Sequence, residues 1–505
     1  MDLHVSLAGR GDLAARIYRQ VRDAIVDGRL RPGERLPASR ELAGRLKVSR
    51  NTVAVAYERL TAEGFLAGRV GAGTFVSATP VGPARRTPRK ARTAPAGREV
   101  RPRGLWRSIP TPPAVDAAAA APAYDFRVGV PDAGLFPFQA WRRLVARELR
   151  PSAIRSGSYG EPAGHAGLRA AIARHIAVAR SVRATADDVL VTQGAQQALD
   201  LVGRVLVEPG TCVAVEDPGY PPAALLFRSL GARVVGVPVD AEGLDVARLP
   251  AAARLVYVTP SHQFPLGAPM SLARRAALLG WAERAGAVLI EDDYDSEYRF
   301  SDRPLEPLQN LDRSGRVVYV GTFSKTLLPL LRLGFLVPPA SLWEALRNAK
   351  RLADWHGDLA TQGALAGFID EGLLARHVRK ATREYALRHE LVVAGLERYL
   401  ADWLEPVPSA AGLHLCARLA EGAAVDLGAA VAVAADAGVA VNTLAQLRAD
   451  AGGPGTPGRD GLVLGYGGVR PDRIMPGLRR LAASMAVTGR PSRPAGRSRK
   501  VSVSS

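Results

Sequence analysis

Cysteine is almost missing from the 505 residues: Cys212 and Cys416 are the only two. No disulfide framework and no cysteine-based metal centre can be built from them. Long apolar runs are missing as well. The Ala/Val-rich stretch at 426–441 is broken by Asp436, short of the roughly 18 residues a membrane helix needs. The opening MDLHVSLAGRGDL lacks the apolar centre of a secretion signal. These absences predict a soluble, cytoplasmic protein with no membrane partner. Acidic residues are scarce, 48 against 67 basic ones, for a formal charge of +19. Such an excess suggests a polyanionic partner. However, nine Arg/Lys against one Glu crowd residues 84–107, and five more follow Gly489. A solvated tether and tail explain the charge about as well as a specific nucleic-acid surface does. What is plentiful is apolar chain, 47% of the residues, enough for sizeable cores in two to four domains.

Near the N-terminus, Leu13, Ile17, Val21 and Ile25 recur every four residues and predict an amphipathic helix. Gly28 and Arg31-Pro32-Gly33 end it. Ser39 is expected to cap a second helix, SRELAGRL, and Lys47-Val48-Ser49 leads into a third, RNTVAVAYERLTAEG. Helix, tight turn, helix is the helix-turn-helix pattern. The third helix starts Ser49-Arg50-Asn51-Thr52, hydrogen-bonding side chains at the end that would enter a major groove. Val53, Ala56, Tyr57 and Leu60 form its inward face. FLAGRVGAGTFV then predicts a hairpin wing, with Arg69 able to reach a phosphate or minor groove. A three-helix interaction domain is the bland alternative.

RLPASRELAGRLKVSRNTVAVAYERLTAEGFLAGRVGAGTFV resembles the winged helix of GntR-type bacterial regulators over residues 12–78. The resemblance implies contact with double-stranded DNA through Ser39, Arg40, Ser49, Arg50, Asn51, Thr52, Arg69 and Gly71. Thr79–Pro122 is mostly Pro, Ala and Arg without periodicity, and predicts a flexible linker.

From Tyr124 onward, β-branched runs alternate with Ala/Leu-rich helical stretches, which predicts a largely parallel sheet covered by helices. Each run ends in polar residues. Val189–Thr192 stops at Gln193-Gly194-Ala195, Val213–Val215 at Glu216-Asp217-Pro218-Gly219-Tyr220, and Arg254–Val258 at Thr259-Pro260-Ser261-His262-Gln263. Val288–Ile290 stops at Glu291-Asp292-Asp293-Tyr294, and Val317–Val320 at Gly321-Thr322-Phe323-Ser324-Lys325. Polar residues massed at the carboxyl ends of parallel strands suit a ligand crevice. In the last of these, Lys325 lies between apolar flanks with Thr322 and Ser324 before it and Arg332 after it. A desolvated amine for a Schiff base beside a phosphate clamp points to pyridoxal phosphate. An ordinary sheet-edge lysine is the bland reading of the same residues. The Gly194-Ala195 turn offers backbone N–H groups at a helix start, and Tyr220 an aromatic face for stacking. An aspartate ending a buried strand would keep the pyridine nitrogen protonated, and Tyr294 would reach the ring oxygen. No metal site is expected at Asp292 and Asp293, which lack a nearby His–carboxylate pattern.

EDDYDSEYRF and GTFSKTLLPLLRLGF resemble the MocR/GabR-like regulators, in which a winged helix is joined to an aspartate-aminotransferase-like fold type I domain. The likeness runs from about Tyr124 to Ser484. It implies a three-layer α/β/α domain over residues 123–486 with a small C-terminal subdomain, followed by a basic tail at 487–505. It also implies Lys325 as the Schiff-base lysine, Asp292 at the pyridine nitrogen and Tyr294 at the ring oxygen. Gly194, Ala195, Thr322, Ser324 and Arg332 would hold phosphate, and Tyr159 would reach the phosphate of the neighbouring subunit in a homodimer. Arg459, with Arg470 as the outside candidate, would take an effector carboxylate. Where aminotransferases of this fold have Asn-Pro-x-Gly, the chain reads Phe264-Pro265-Leu266-Gly267; His262 or Gln263 would have to replace that asparagine. The expected function is a regulator that senses the cofactor, or an amino compound joined to it as an external aldimine, with vitamin B6 or amine metabolism as its field. The alternative is a working aminotransferase with a DNA-binding appendage. Enzymatic activity stays open, at most weak or limited to a half-reaction.

Overall fold

The computed structural model describes residues 12–69, 72–77, 100–109, 122–152, 157–300, 306–449 and 460–490. They fall into two compact units that divide between Pro102 and Arg103.

The first unit opens with α1 (Leu13–Val26), whose N-terminus is capped by Asp12, the side chain accepting from the N–H groups of Ala14 and Ala15. Helices α2 (Ser39–Leu46) and α3 (Arg50–Ala62) follow, joined through Lys47, which adopts a left-handed conformation with φ 54°. Strands β1 (Leu66–Arg69) and β2 (Gly73–Val76) pair antiparallel, Leu66 opposite Val76. Ile17, Val21, Ile25, Leu42, Val53, Ala56 and Leu60 share one core with Leu66 and Val76, so the wing is pinned to the helices by its apolar ends. Leu13, at the head of the four-residue pattern, is left exposed. The expected role of Ser39 as a cap is corrected: Ala38 is the capping residue and makes no side-chain bond, while Ser39 is the first helical residue. Ser49 does cap, its Oγ accepting from the Thr52 N–H at 3.1 Å. Among the described residues of the stretch expected to be a flexible linker lies a short helix, α4 (Gly104–Ser108).

In the second unit, strand β3 (Tyr124–Phe126) belongs to the smaller of two main sheets. The larger sheet holds β4 (Leu190–Thr192), β5 (Cys212–Asp217), β6 (Arg233–Asp240), β7 (Gly243–Leu244), β8 (Ala253–Val258), β9 (Val288–Asp293), β10 (Val317–Thr322) and β11 (Gly334–Val337). Their order is β4-β11-β10-β9-β8-β5-β6-β7. From β10 to β6 every pairing is parallel, whereas β11 runs antiparallel to both neighbours. The strands are apolar nearly throughout because helices cover both faces. Among them are α5 (Phe138–Glu148), α6 (Ala166–Arg180) and α7 (Ala195–Leu206).

The smaller sheet contains β12 (Leu404–Pro406) and β13 (His414–Leu419), then, beyond the short β14 (Ala424–Val425), β15 (Val439–Thr443) and β16 (Gly461–Gly465). Its order is β12-β13-β16-β15-β3, with β3 parallel to β15. The C-terminal sheet is thus closed by the first strand of the unit, which delivers Val128 and Gly129 to the same neighbourhood as Leu413 and His414. The last long helix, Pro471–Thr488, and β17 (Gly489–Arg490), paired with β14, carry ordered chain four residues past the expected boundary at 486.

Candidate cofactor pocket and DNA-reading face

A cavity of about 360 Å³ lies at the carboxyl ends of the parallel strands. Its walls include Ala195, Tyr220, Asp292, Tyr294, Thr322, Ser324, Lys325 and Arg332, all named from the sequence. Strand alternation decides which acidic group enters it. Successive residues of a strand point to opposite faces, so Asp292 turns one way and Glu291 and Asp293 the other. Asp293 accepts from Arg180 Nε and the Tyr319 hydroxyl, each at 2.6 Å, and from Ser296. Glu291 accepts from the N–H groups of Leu308 and Gln309 at 2.9 Å. Asp292 accepts from the Tyr257 hydroxyl through Oδ2 at 2.7 Å. Its Oδ1 is buried without a partner. Burial pushes the Asp292 carboxyl up to about 7, opposed by the Tyr257 hydrogen bond.

Lys325 follows β10, and its Nζ donates to the Gly129 carbonyl at 2.7 Å. Burial lowers its ammonium below the ordinary lysine value, against the pull of Asp295 and Asp292. Gly129 has φ +86°, and a Cβ there would come within 2.9 Å of the lysine nitrogen. Only glycine serves both needs. Across the pocket, the Thr322 and Ser324 hydroxyls lie 3.0 Å apart. Arg332 donates through Nη2 to the Gln193 carbonyl at 2.8 Å. Gly194, with φ +78°, precedes α7, and a Cβ on it would press on the Arg332 guanidinium at 3.1 Å. The N-terminus of α7, two hydroxyls and one guanidinium therefore gather at one end of the cavity, as an anion site requires.

Three expectations change. His262 does not reach the cavity wall: its Nδ1 lies 3.0 Å from Asp295, its Nε2 3.2 Å from Ser409 Oγ, and its carbonyl accepts from the Tyr294 hydroxyl at 2.9 Å. It orients Asp295 and Tyr294 instead. Gln263 is also turned away, donating to Glu216 and to the Pro218 and Phe264 carbonyls, so the cavity lining at this point is the Phe264 ring. Arg470 is exposed and paired with Asp472. Arg459 and Gly71 lie outside the described residues. Tyr159 is 75% exposed, away from the cavity, with its ring 4.8 Å from that of Trp355.

The sequence reading missed Tyr257, Gly129, Asp295 and His414, which all line the cavity. Tyr257 had a signal, lying in a strand run whose end was already singled out. His414 and Gly129 had none, because they come from the other sheet. His262, Asp295 and His414 also bring one ligand-type atom each within 4.8 Å of one another, a grouping not foreseen from the sequence.

In the first unit, Arg40, Ser49, Arg50, Asn51 and Arg69 are exposed, while Ser39 and Thr52 are half-buried. Four of these residues open α3, and their outward placement follows from the burial of Val53, Ala56, Tyr57 and Leu60 behind them. The Arg69 guanidinium sits 4.9 Å above the Phe75 ring, held on the wing.

Two family descriptions match the chain: "Bacterial regulatory proteins, gntR family" over residues 13–76 and "Aminotransferase class I and II" over residues 122–452. The probable rhizopine catabolism regulatory protein MocR of Rhizobium meliloti is 38% identical over 477 residues, covering 93% of this chain and 92% of the relative. The chain belongs to the MocR-type transcription regulators. The pyridoxine biosynthesis transcriptional regulator PdxR of Corynebacterium glutamicum is 32% identical, covering 80% of this regulator and 82% of the relative. Among solved structures, kynurenine aminotransferase of Pyrococcus horikoshii, in complex with PMP, matches at 27% identity and a TM-score of 0.67, covering 73% of this chain and 92% of its own. The regulator thus has the fold of enzymes that depend on pyridoxal phosphate. Among its described residues, no helix is long and apolar enough to cross a membrane.

Proposed function

We propose that this regulator binds pyridoxal phosphate at Lys325 and, through it, an amino compound whose capture alters the grip of a dimer's winged helices on operator DNA in the cytoplasm. The observation that carries this reading is the orphaned Oδ1 of Asp292, buried in the cavity that also holds a desolvated lysine. An unpaired buried carboxylate oxygen is costly, and the N–H of a protonated pyridine ring relieves it. Pyridoxal phosphate, when bound, supplies an aldehyde carbon for amines and a ring that withdraws electrons.

The protein's own groups divide the remaining tasks. Burial keeps a larger share of Lys325 as free amine, the form able to attack a carbonyl. Gly194, Ala195, Thr322, Ser324 and Arg332 would hold the phosphate. Tyr257 fixes the orientation of Asp292, and Tyr220 and Phe264 supply apolar walls that exclude water. Tyr159 is free to meet a second subunit. Phe264, in place of a polar side chain, removes one contact to the ring oxygen and favours sensing over rapid turnover. Ser49, Arg50, Asn51 and Thr52 would read bases, while Arg40 and Arg69 would contact the DNA backbone or minor groove. PdxR and MocR are named for pyridoxine biosynthesis and rhizopine catabolism respectively, and this chain is assigned to neither pathway.

The test is spectroscopic and functional together. The purified protein, incubated with pyridoxal phosphate, should gain a visible absorption band and bind its own promoter fragment with an affinity that changes on adding amines. A colourless protein, or promoter binding indifferent to both cofactor and amine, would refute the reading.

A further inference from the structure

The cavity has one wall that the cofactor reading does not use. Asp292, Thr322, Ser324, Lys325 and the start of α7 all belong to the larger sheet or its helices. The facing wall is contributed by the smaller sheet and the chain after β3: Val128, Gly129, Leu413 and His414. His414 is the one polar side chain among those four. It is 2% exposed, with its ring centroid 4.9 Å from that of His262 and 5.3 Å from that of Phe264.

The protonation of this ring follows from its partners. The backbone carbonyl of Pro265 lies beside the His414 ring and favours an N–H turned toward it. Its Nε2 is buried with no hydrogen-bond partner. Burial, with the neighbouring His262, lowers the pKa to about 3. The ring is therefore neutral, and in the tautomer with Nδ1–H toward that carbonyl Nε2 offers a lone pair. Asp295, beside it on the cavity wall, accepts from His262 and retains lone-pair capacity. The ligand-type atoms of Asp295 and His414 lie within 4.8 Å of each other, so a donor reaching one is within range of the other.

We infer that the effector is an amino compound carrying a hydroxyl group close to its amine, and that His414 Nε2 accepts the hydrogen bond from that hydroxyl. This inference rests on the proposed binding of amines at Lys325. One neutral lone pair flanked by the apolar Leu413 and Phe264 matches a single O–H. A second ammonium has three N–H donors for the two acceptors, His414 Nε2 and Asp295, and would leave the third facing hydrocarbon. A site built around a hydroxyl discriminates through its own unpaired acceptor when the ligand lacks that hydroxyl.

The experiment titrates the full-length, pyridoxal phosphate-loaded protein with two near-isosteric pairs, ethanolamine against propylamine and L-serine against L-α-aminobutyrate. Affinity is read from the visible spectrum. In the native protein the hydroxylated member of at least one pair should bind about tenfold more tightly, near the upper end for one hydrogen bond. His414→Phe should bring that ratio close to one, and His414→Gln, which keeps a carbonyl acceptor, should restore part of it. Ratios near one for both pairs in the native protein, or a native preference unchanged in His414→Phe, overturn the inference. Should His414→Phe fail to load cofactor, the native ratios and the Gln variant decide. A protein that never gains the visible band refutes the underlying reading instead, so the two failures are distinguishable.

Discussion

The winged helix and the aminotransferase-like unit solve opposite problems with polar side chains. At the start of α3, Ser49, Arg50 and Asn51 are exposed, with Ser49 also capping the helix, and need only a backbone that holds them outward. Around Lys325 the working groups are buried, and burial itself alters their chemistry. It raises Asp292 to about 7 and lowers Lys325. A reading surface thus costs its fold little, whereas a reactive pocket carries desolvated groups, one of which, Asp292 Oδ1, is left without a partner. If this contrast is correct, substitutions in the first unit should change DNA binding and leave the colour alone. Pocket substitutions should change colour, stability and pH dependence.

The largest effect is expected from Lys325→Ala. It should abolish the visible band of the pyridoxal phosphate-loaded protein while leaving the winged helix folded by circular dichroism; a normal band would place the reactive amine elsewhere. Next is Asp292→Asn. Loss of a charged partner to the ring nitrogen should weaken cofactor binding by about 10- to 100-fold, the worth of a charge-assisted hydrogen bond.

The same variant has a pH signature of defined sign. Burial raises the folded-state value of Asp292 from the ordinary 3.8 to about 7. The cofactor-free native protein therefore binds more protons than the unfolded chain in this interval and loses stability as pH rises through it. Cofactor-free Asp292→Asn should accordingly unfold at higher urea than wild type at pH ~8, by on the order of 1–4 kcal/mol. The difference should shrink toward pH ~4. A gap independent of pH would mean that Asp292 is already ion-paired in the free protein.

Smaller effects belong to the first unit. Arg50→Ala should weaken binding to the promoter fragment by about 1–3 kcal/mol if the side chain reads a base, with the band unchanged. A shift in the band would contradict the separation of roles. Ser49→Ala removes the cap on α3 and should lower stability of the winged helix by about 1 kcal/mol, read as an earlier urea midpoint for that unit.

Much of this was legible in advance for physical reasons. Four-residue spacing located α1, and the inward face Val53, Ala56, Tyr57 and Leu60 is buried as expected. Polar residues at strand ends marked the crevice, since parallel strands in register bring their carboxyl ends to one edge. Local pattern failed where side chains compete. Ser39 was read as a cap because serine favours that position, yet the helix begins one residue earlier and Ser39 lies inside its first turn. His262 is expected at the cofactor as a replacement for the missing asparagine, but Asp295, Ser409 and Tyr294 claim its ring and carbonyl.

By itself the sequence determined the two-part organisation, the helix-turn-helix with its wing, and the lysine with its hydroxyls and arginine, because spacing and polarity act over short stretches of chain. Only the tertiary structure decided that Asp292 keeps a free oxygen in the cavity while Asp293 spends its own on Arg180 and Tyr319. Only it brought Gly129 and His414 from the smaller sheet to face Lys325. Those choices depend on which strands become neighbours, and contacts between residues some 90 to 200 positions apart leave no periodic trace in the chain that makes them.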